Sequence, residues 1–479
     1  MAGRERMASM DAAWLQMEEP ANLMMITAVL WFDGAVDLER LRAVVRERLV
    51  ERYPRFRQRV VPGPLGAPHW EDAPDFELEE HLSTLRVPES AGRAGLEALV
   101  GDWLGVPLER SRPLWHFHLV RGAPGGDVLL ARLHHCIADG IALARVLLSL
   151  TDPVDAGADV APEAGAEAGA ARTAVPGSLE ARDEDSGEVT PSEPERRPGA
   201  PGWLRFARGA RSALRKGAEM VREPILAGDL VREGAKGAAA LGKLLVLPPD
   251  PRSPLRGPLG PRKVAAWSEP IELERVKAVG RTLGGTVNDV LLTAVTGALR
   301  RYLATRDAPL EDVHALVPVN LRPMDVPVPR ELGNRFGVVF LRLPVHLAEP
   351  RRRLREVAKR MEHLKRSPEA VVTSGVLELL GRTPAALERA VVDVMGTKAS
   401  LVATNVPGPR QPVSLAGSRL KGLTFWVPQA GHVGLGVSLF SYSGQVTVGV
   451  ASDASRVPDP GALVAAFQEE LDALATLAP

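Results

Sequence analysis

Between Pro153 and about Gly202 the chain reads PVDAGADVAPEAGAEAGAARTAVPGSLEARDEDSGEVTPSEPERRPGAPG, poor in large apolar residues and rich in Ala, Gly, Pro and Glu. Such a stretch cannot bury enough surface to offset the entropy of ordering it. A disordered acidic linker is expected over 153–202, with a regulatory tail as the functional alternative. It separates an N-terminal part, 1–152, from a longer remainder, in which a basic segment, 203–250, precedes a second folded part, 251–479. At roughly 100 to 200 residues per domain, the 479 residues allow two or three units able to bury a core.

Both flanking parts mix strands and helices. In the first, 24–32 (MMITAVLWF) reads as a strand, and Asp37 precedes Leu38, Leu41, Val45 and Leu49 at helical spacing. WHFHLV (115–120) and DVLLARL (127–133) read as strands joined by the turn GAPGG, with a helix from about 141 to 150. In the second, Thr286 and Asp289 form a capping-box pattern ahead of an apolar helix. Segments 335–345, 433–444 and 445–452 are strand-like, and 458–477 closes the chain as an amphipathic helix. The absence of GxGxxG and P-loop motifs argues against nucleotide-binding folds. No internal repeat is discernible.

Lys plus Arg total 59 and Asp plus Glu total 59, so no global field selects a charged partner. The single cysteine, Cys136, implies a reducing compartment and excludes a multi-cysteine metal site. No apolar stretch precedes Glu18 and Glu19, so the start does not read as a secretory signal. The most apolar segments fall short of the roughly 18 consecutive apolar residues of a spanning helix. A cytoplasmic protein that meets membranes only from the surface is expected. The segment 203–226 (WLRFARGARSALRKGAEMVREPIL) interleaves Trp203, Phe206 and Leu214 with arginines at helical spacing. That pattern suits an anionic membrane surface, or equally an ordinary helix packed on the body of the protein. Nucleic acid is the poorer reading, because no recognised binding motif accompanies the patch.

The strand 127–133 runs directly into His134-His135-Cys136-Ile137-Ala138-Asp139-Gly140 and then into a helix. A spaced HHxxxDG arises by chance in about one chain in a thousand of this composition, and a strand-to-helix loop carries function on a rigid frame. Adjacent strand residues face opposite ways, so His134 and His135 are expected to divide their roles. An imidazole suits proton abstraction from an alcohol or amine near neutral pH, and His135 is the candidate base. Asp139 either orients the ring or holds the loop through an arginine, and Gly140 permits close backbone approach. Packing histidines followed by a plain helix cap are the structural alternative. Cys136 beside a histidine invites a thiolate nucleophile, and adjacent histidines invite a metal. The metal reading is weaker, because the side chains diverge and no third ligand is near.

The motif His134–Gly140 resembles HHxxxDG of the bacterial wax ester synthase and acyl-CoA:diacylglycerol acyltransferase family. Shorter elements agree in order: Met10-Asp11 with Trp14-Leu15, Pro113-Leu114-Trp115 (PLW), Asn288-Asp289 (ND), Gly333-Asn334 (GN), and 404–409 (TNVPGP) with Thr for the family's Ser. The likeness covers nearly the whole chain apart from the acidic linker. It implies a two-domain α/β fold of the CoA-dependent, chloramphenicol acetyltransferase-like kind, with an interdomain tunnel. It implies that His135 deprotonates a hydroxyl, that the alkoxide attacks an acyl-CoA thioester, and that CoA leaves without a covalent enzyme intermediate. His134 and Asp139 complete the catalytic motif, Asp139 by pairing with an arginine not identifiable from sequence. Gly140, Asn288 and Asp289 are structural motif positions, Asn288 also a candidate oxyanion donor. By the resemblance Pro113, Leu114, Trp115, Thr404 and Asn405 are candidate substrate contacts, although by composition the triplet Pro113-Leu114-Trp115 is more often core than pocket.

The expected activity is therefore O-acyl transfer from acyl-CoA to diacylglycerol, with acyl-CoA as substrate, no cofactor and no metal. The protein would sit peripherally on the inner membrane face or on lipid droplets. Wax ester synthesis from long-chain alcohols, transfer from a carrier-bound acyl group or to an amine, and a catalytically silent lipid-binding protein are the competing readings.

Overall fold

The computed structural model describes residues 4–63, 67–154, 248–322, 326–367, 369–380, 382, 385–429 and 431–478. Nearly all of the expected acidic linker and of the basic segment 203–250 lies outside these residues. Pro153 does not belong to a linker: Asp152–Pro153 pairs as a short strand with Val413–Leu415, and Val154 N donates to Pro412 O.

Two seven-stranded mixed sheets organise the described residues. The first runs, edge to edge, Leu82–Arg86, Trp115–Arg121, Val128–His134, Met25–Phe32, Ser418–Trp426, Val413–Leu415, Asp152–Pro153. Its neighbours are antiparallel except Leu82–Arg86 and Trp115–Arg121. The second runs Ile271–Glu272, Gln445–Asp453, Leu435–Tyr442, Leu401–Pro407, Val313–Asn320, Phe336–Leu343, with Lys263–Trp267 also pairing with Gln445–Asp453. Parallel pairs flank Leu401–Pro407, so this sheet needs helical crossovers as well as hairpins.

The period of two along Val128–His134 explains why both faces of the first sheet are covered. Leu129, Ala131 and Leu133 enter a core with the helices Leu38–Val45 and Gly140–Leu148, whereas Val128 and Leu130 enter another with the helix Gly92–Leu104. The helix Val287–Ala304 is apolar around most of its circumference and lies buried in the core of the second sheet, as a helix without a polar face must. Thr286 and Asp289 cap it reciprocally, as their spacing predicts.

Two strands from the C-terminal part, Val413–Leu415 and Ser418–Trp426, join the first sheet. Ser418–Trp426 pairs with Val413–Leu415 on one side and with Met25–Phe32 on the other. It carries residues 425–428 to the end of the first sheet, beside the HHxxxDG loop. Among the described residues, no helix is long and apolar enough to cross a membrane.

Candidate active site

Val128–His134 ends where its partner strand begins: His134 N donates to Leu114 O (2.9 Å) and His135 N to Met24 O (2.8 Å). Past that point the two histidines separate. His134 Nδ1 accepts from Cys136 N at 3.0 Å, so its hydrogen sits on Nε2, which donates to Glu18 Oε2 at 3.0 Å. Arg110 also donates to Glu18, at 2.8 Å. Burial works to raise the Glu18 carboxyl, but the hydrogen bonds from His134 and Arg110 outweigh it and hold it at about 2. His134 thus fastens the loop to the N-terminal segment and does not reach the cavity described below.

His135 takes the other direction. Its ring stacks on Trp14 (centroids 3.9 Å apart, 23° between planes) and lies 5.6 Å from the Phe336 ring. Burial pushes its pKa down to about 3, so the imidazole is neutral at physiological pH with a lone pair available. Its carbonyl accepts from Asn334 Nδ2 at 2.7 Å, and Asn334 N and Nδ2 both donate to Asp11 Oδ1 at 2.9 Å. Gly333 fits this approach: a Cβ there would stand 3.3 Å from Asp11 Oδ2, at a φ of +157°. Burial raises the Asp11 carboxyl to about 6 against the opposing hydrogen bonds from Asn334.

Asp139 is both cap and anchor. Its Oδ1 accepts from Ala142 N at 2.9 Å as the N-cap of Gly140–Leu148. Its Oδ2 accepts from Arg322 Nη1 at 2.6 Å and from Arg335 N at 3.1 Å. Arg322 also donates to Gly333 O, so the arginine that sequence could not identify ties the motif to the segment carrying Asn334. Gly140 lets the helix approach Val427, whose Cγ1 a Cβ would meet at 3.1 Å.

His135, Asp139 and Gly140 line a cavity with about 740 Å³ of empty space, its open mouth included. The walls are mainly apolar: Trp14, Leu316, Phe336, Val338, Val402 and Phe425 among them. Thr404, Asn405 and Asn320 contribute polar groups. Thr404 Oγ1 is held only at 3.5 Å by Val437 O. Asn405 Nδ2 donates to Asn288 Oδ1 at 2.8 Å, which places Asn288 behind Asn405 and outside the wall. Asp289 is occupied by the capping box: Thr286 N donates to its Oδ2 at 2.9 Å.

Pro113, Leu114 and Trp115 are buried. None of them lines this cavity. Leu114 and Trp115 are core residues, and the Trp115 indole donates to Phe56 O at 2.8 Å and stacks on His81. They start the strand next to the motif strand, so their effect on the site passes through the backbone. Cys136 is fully buried, and burial drives its thiol well above its ordinary pKa, opposite to what a thiolate nucleophile requires. Among the described residues no cluster of His, Cys, Asp or Glu could hold a metal ion.

Trp14, Phe336, Asn320 and Glu18 had no role assigned from sequence. Trp14 and Asn334 lay within elements already visible as motifs, but their spacing alone does not place them on His135.

The chain matches two family profiles, one described as the wax ester synthase/diacylglycerol acyltransferase catalytic domain over residues 7–291, the other as the WS/DGAT C-terminal domain over 332–475. A relative in Mycobacterium tuberculosis, named a probable diacylglycerol O-acyltransferase, is 28% identical over 484 residues, covering 98% of this chain and 96% of its own. The solved wax ester synthase/diacylglycerol acyltransferase from Marinobacter aquaeolei superposes with a TM-score of 0.67 at 21% identity, covering 99% of each chain. The first condensation domain of the calcium-dependent antibiotic synthetase superposes at 0.58 and 17% identity, covering 99% of this chain and 96% of that one. These likenesses establish the two-domain, CoA-dependent acyltransferase-like architecture.

Proposed function

Because the chain belongs to the wax ester synthase/diacylglycerol acyltransferase family, and is an acyltransferase, we propose that it transfers a fatty acyl group from acyl-CoA to diacylglycerol with His135 as general base. The observation that carries this reading is a histidine kept neutral by burial at the wall of a largely apolar cavity. A base must be unprotonated to act, and an apolar wall suits long acyl chains.

In the proposed reaction His135 takes the proton of the acceptor hydroxyl. The alkoxide oxygen forms a bond to the thioester carbonyl carbon, and the carbonyl electrons move to oxygen. Re-forming the carbonyl breaks the C–S bond, and the departing thiolate takes the proton from the imidazolium. The products are triacylglycerol and CoA. Thr404 Oγ1, only loosely engaged, turns to the developing oxyanion. Removing one such donor costs about 10²- to 10³-fold in kcat, and Thr404→Val is expected to lower kcat toward that range with little change in the KM for acyl-CoA. A raised KM at unchanged kcat would make Thr404 a binding residue instead.

The reading is tested by CoA release from palmitoyl-CoA, with diacylglycerol in anionic liposomes or hexadecanol as acceptor. Release that depends on diacylglycerol, with protein floating with the liposomes, is the expected result. Faster release with hexadecanol makes the protein a wax ester synthase. Silence with both, in folded protein, points to another acceptor or to lipid binding without turnover. Activity without flotation removes the peripheral membrane association from the reading.

A further inference from the structure

The helix Pro350–Lys365 has two very different faces. Leu354, Val357, Met361 and Leu364 recur at helical spacing and pack into the core of the second sheet. The opposite face exposes Arg351, Arg352, Arg355 and Lys359, with Arg366 at the C-cap, a row about 22 Å long at 1.5 Å per residue. Glu362 is the acidic residue on that face, and Arg366 holds it at 2.7 Å. The side chains of Arg352, Arg355 and Lys359 have no partner among the described residues. On the inner side, by contrast, Arg353 donates to Glu470 at 2.5 Å and Arg360 to Asp312 at 2.9 Å. A helix face that serves only solubility alternates its charges, because opposite signs four residues apart attract. Here Arg351, Arg355 and Lys359 repel at successive i,i+4 positions. Beyond the Glu349 cap, Arg351 and Arg352 also stand in a first turn without acidic residues, against the helix dipole. The row therefore costs the isolated protein stability. Val371 and Leu379, on the next helix, Glu369–Leu380, are 66% and 37% exposed. The inner side of that helix backs the active-site cavity: Leu377 packs on Phe336, and Thr373 Oγ1 donates to Val338 O at 2.7 Å.

Resting on the reading above, in which the acceptor is a membrane lipid, we propose that the cationic face of Pro350–Lys365 docks the protein on an anionic phospholipid surface. A row of this length meets many anions at once, and none of its residues lines the cavity, so it does not serve a single bound phosphate there. Lipid headgroups supply the missing counter-charges and relieve the repulsion along the helix, each basic side chain adding its own attraction. The chain as a whole has no net charge, so the attraction has to come from a local patch such as this one. Nucleic acid also presents a row of phosphates, but it offers no apolar layer to Val371 and Leu379. Docked in this way, the protein holds the helix behind the cavity wall close to the phase in which diacylglycerol and triacylglycerol dissolve.

The test is flotation of the full-length protein with vesicles of phosphatidylglycerol and phosphatidylcholine, and with phosphatidylcholine alone. Wild type is expected to float with the anionic vesicles and to be released by salt. Arg352→Gln/Arg355→Gln/Lys359→Gln is expected to weaken partition into them about 100-fold, near fivefold for each charge removed. Its melting temperature should equal or exceed that of wild type, since repulsion is removed. Its CoA release with dihexanoylglycerol, dissolved below its aggregation limit, should be unchanged. Val371→Ser is expected to weaken partition about fivefold in low and high salt alike. A triple variant that floats like wild type, melts lower, or loses activity on the dissolved acceptor would overturn the proposal. So would wild type that ignores anionic vesicles or binds duplex DNA more tightly than them. None of these results touches acyl transfer itself, which fails only if wild type releases no CoA with dissolved or vesicle-borne acceptor.

Discussion

Replacing His135 by alanine is expected to lower kcat/KM for acyl transfer by about 10²- to 10⁴-fold, the range that a positioned general base contributes. The protein should remain folded, because the variant deletes a single ring at the cavity wall and its main packing loss is the stacking on Trp14. Cys136→Ala is the matching control. It removes a buried sulfur at a cost of about 1 kcal/mol in packing and is expected to keep most of the activity, since a thiol held well above its ordinary pKa supplies almost no thiolate. The pair of variants separates direct transfer from a covalent route: an inactive but folded Cys136→Ala would mean that the acyl group passes through the enzyme. His134→Ala is informative in a different way. It strips a buried partner from Glu18 and an acceptor from Cys136 N, so its damage should appear first in the melting temperature.

The contrast between the two histidines shows what kind of information a sequence carries. The period of two along Val128–His134 was enough to expect that His134 and His135 diverge, and the chain does so where the strand ends. The capping box at Thr286 and Asp289 was likewise legible, because both partners lie within one turn of helix. What surrounds His135 was not legible by the same means. Asp11, Trp14, Asn334 and Phe336 come from segments more than a hundred residues from the motif on either side, and only folding brings them together. Arg322 could not be picked out from the other basic residues until the end of Val313–Asn320 was seen beside Asp139. At Pro113-Leu114-Trp115 composition and resemblance point in different directions. An apolar triplet beside the motif strand reads as core by composition and as substrate wall by resemblance, and side-chain direction, which composition does not encode, puts Leu114 and Trp115 in the core. Ser418–Trp426 has the apolar pattern of a strand in either sheet, so its passage to the first sheet was beyond local reasoning.

Acidification from pH 7.5 to pH 5 is expected to remove about 5 kcal/mol of stability, through histidines that are mostly remote from the chemistry. His116 and His118 lie on one face of Trp115–Arg121 with rings 4.2 Å apart, and Ser83 Oγ bridges them at 3.1 Å from His116 Nε2 and 2.6 Å from His118 Nδ1. Burial holds His116 at about 4, and His118 and His135 at about 3. All three are depressed below the unfolded value near 6.5, so the unfolded chain binds the extra protons and stability falls as pH drops below that value. Each costs about 2 kcal/mol at pH 5 by linkage. Asp11 has the opposite sign. Its carboxyl is raised to about 6, so protonation in the folded state returns about 1 kcal/mol over the same window. Glu18, held at about 2, lends stability that persists above its unfolded value near 4.5 and is lost only in stronger acid. Domains are stable by about 5 to 15 kcal/mol in all, so urea unfolding at the two pH values should resolve the loss without difficulty. The double variant His116→Gln/His118→Gln keeps polar atoms near Ser83 but removes two of the three protons, and should cut the pH dependence by more than half. An unchanged slope in that variant would assign the acid sensitivity to other groups, and the buried histidine pair would then be a packing feature without a titration of consequence.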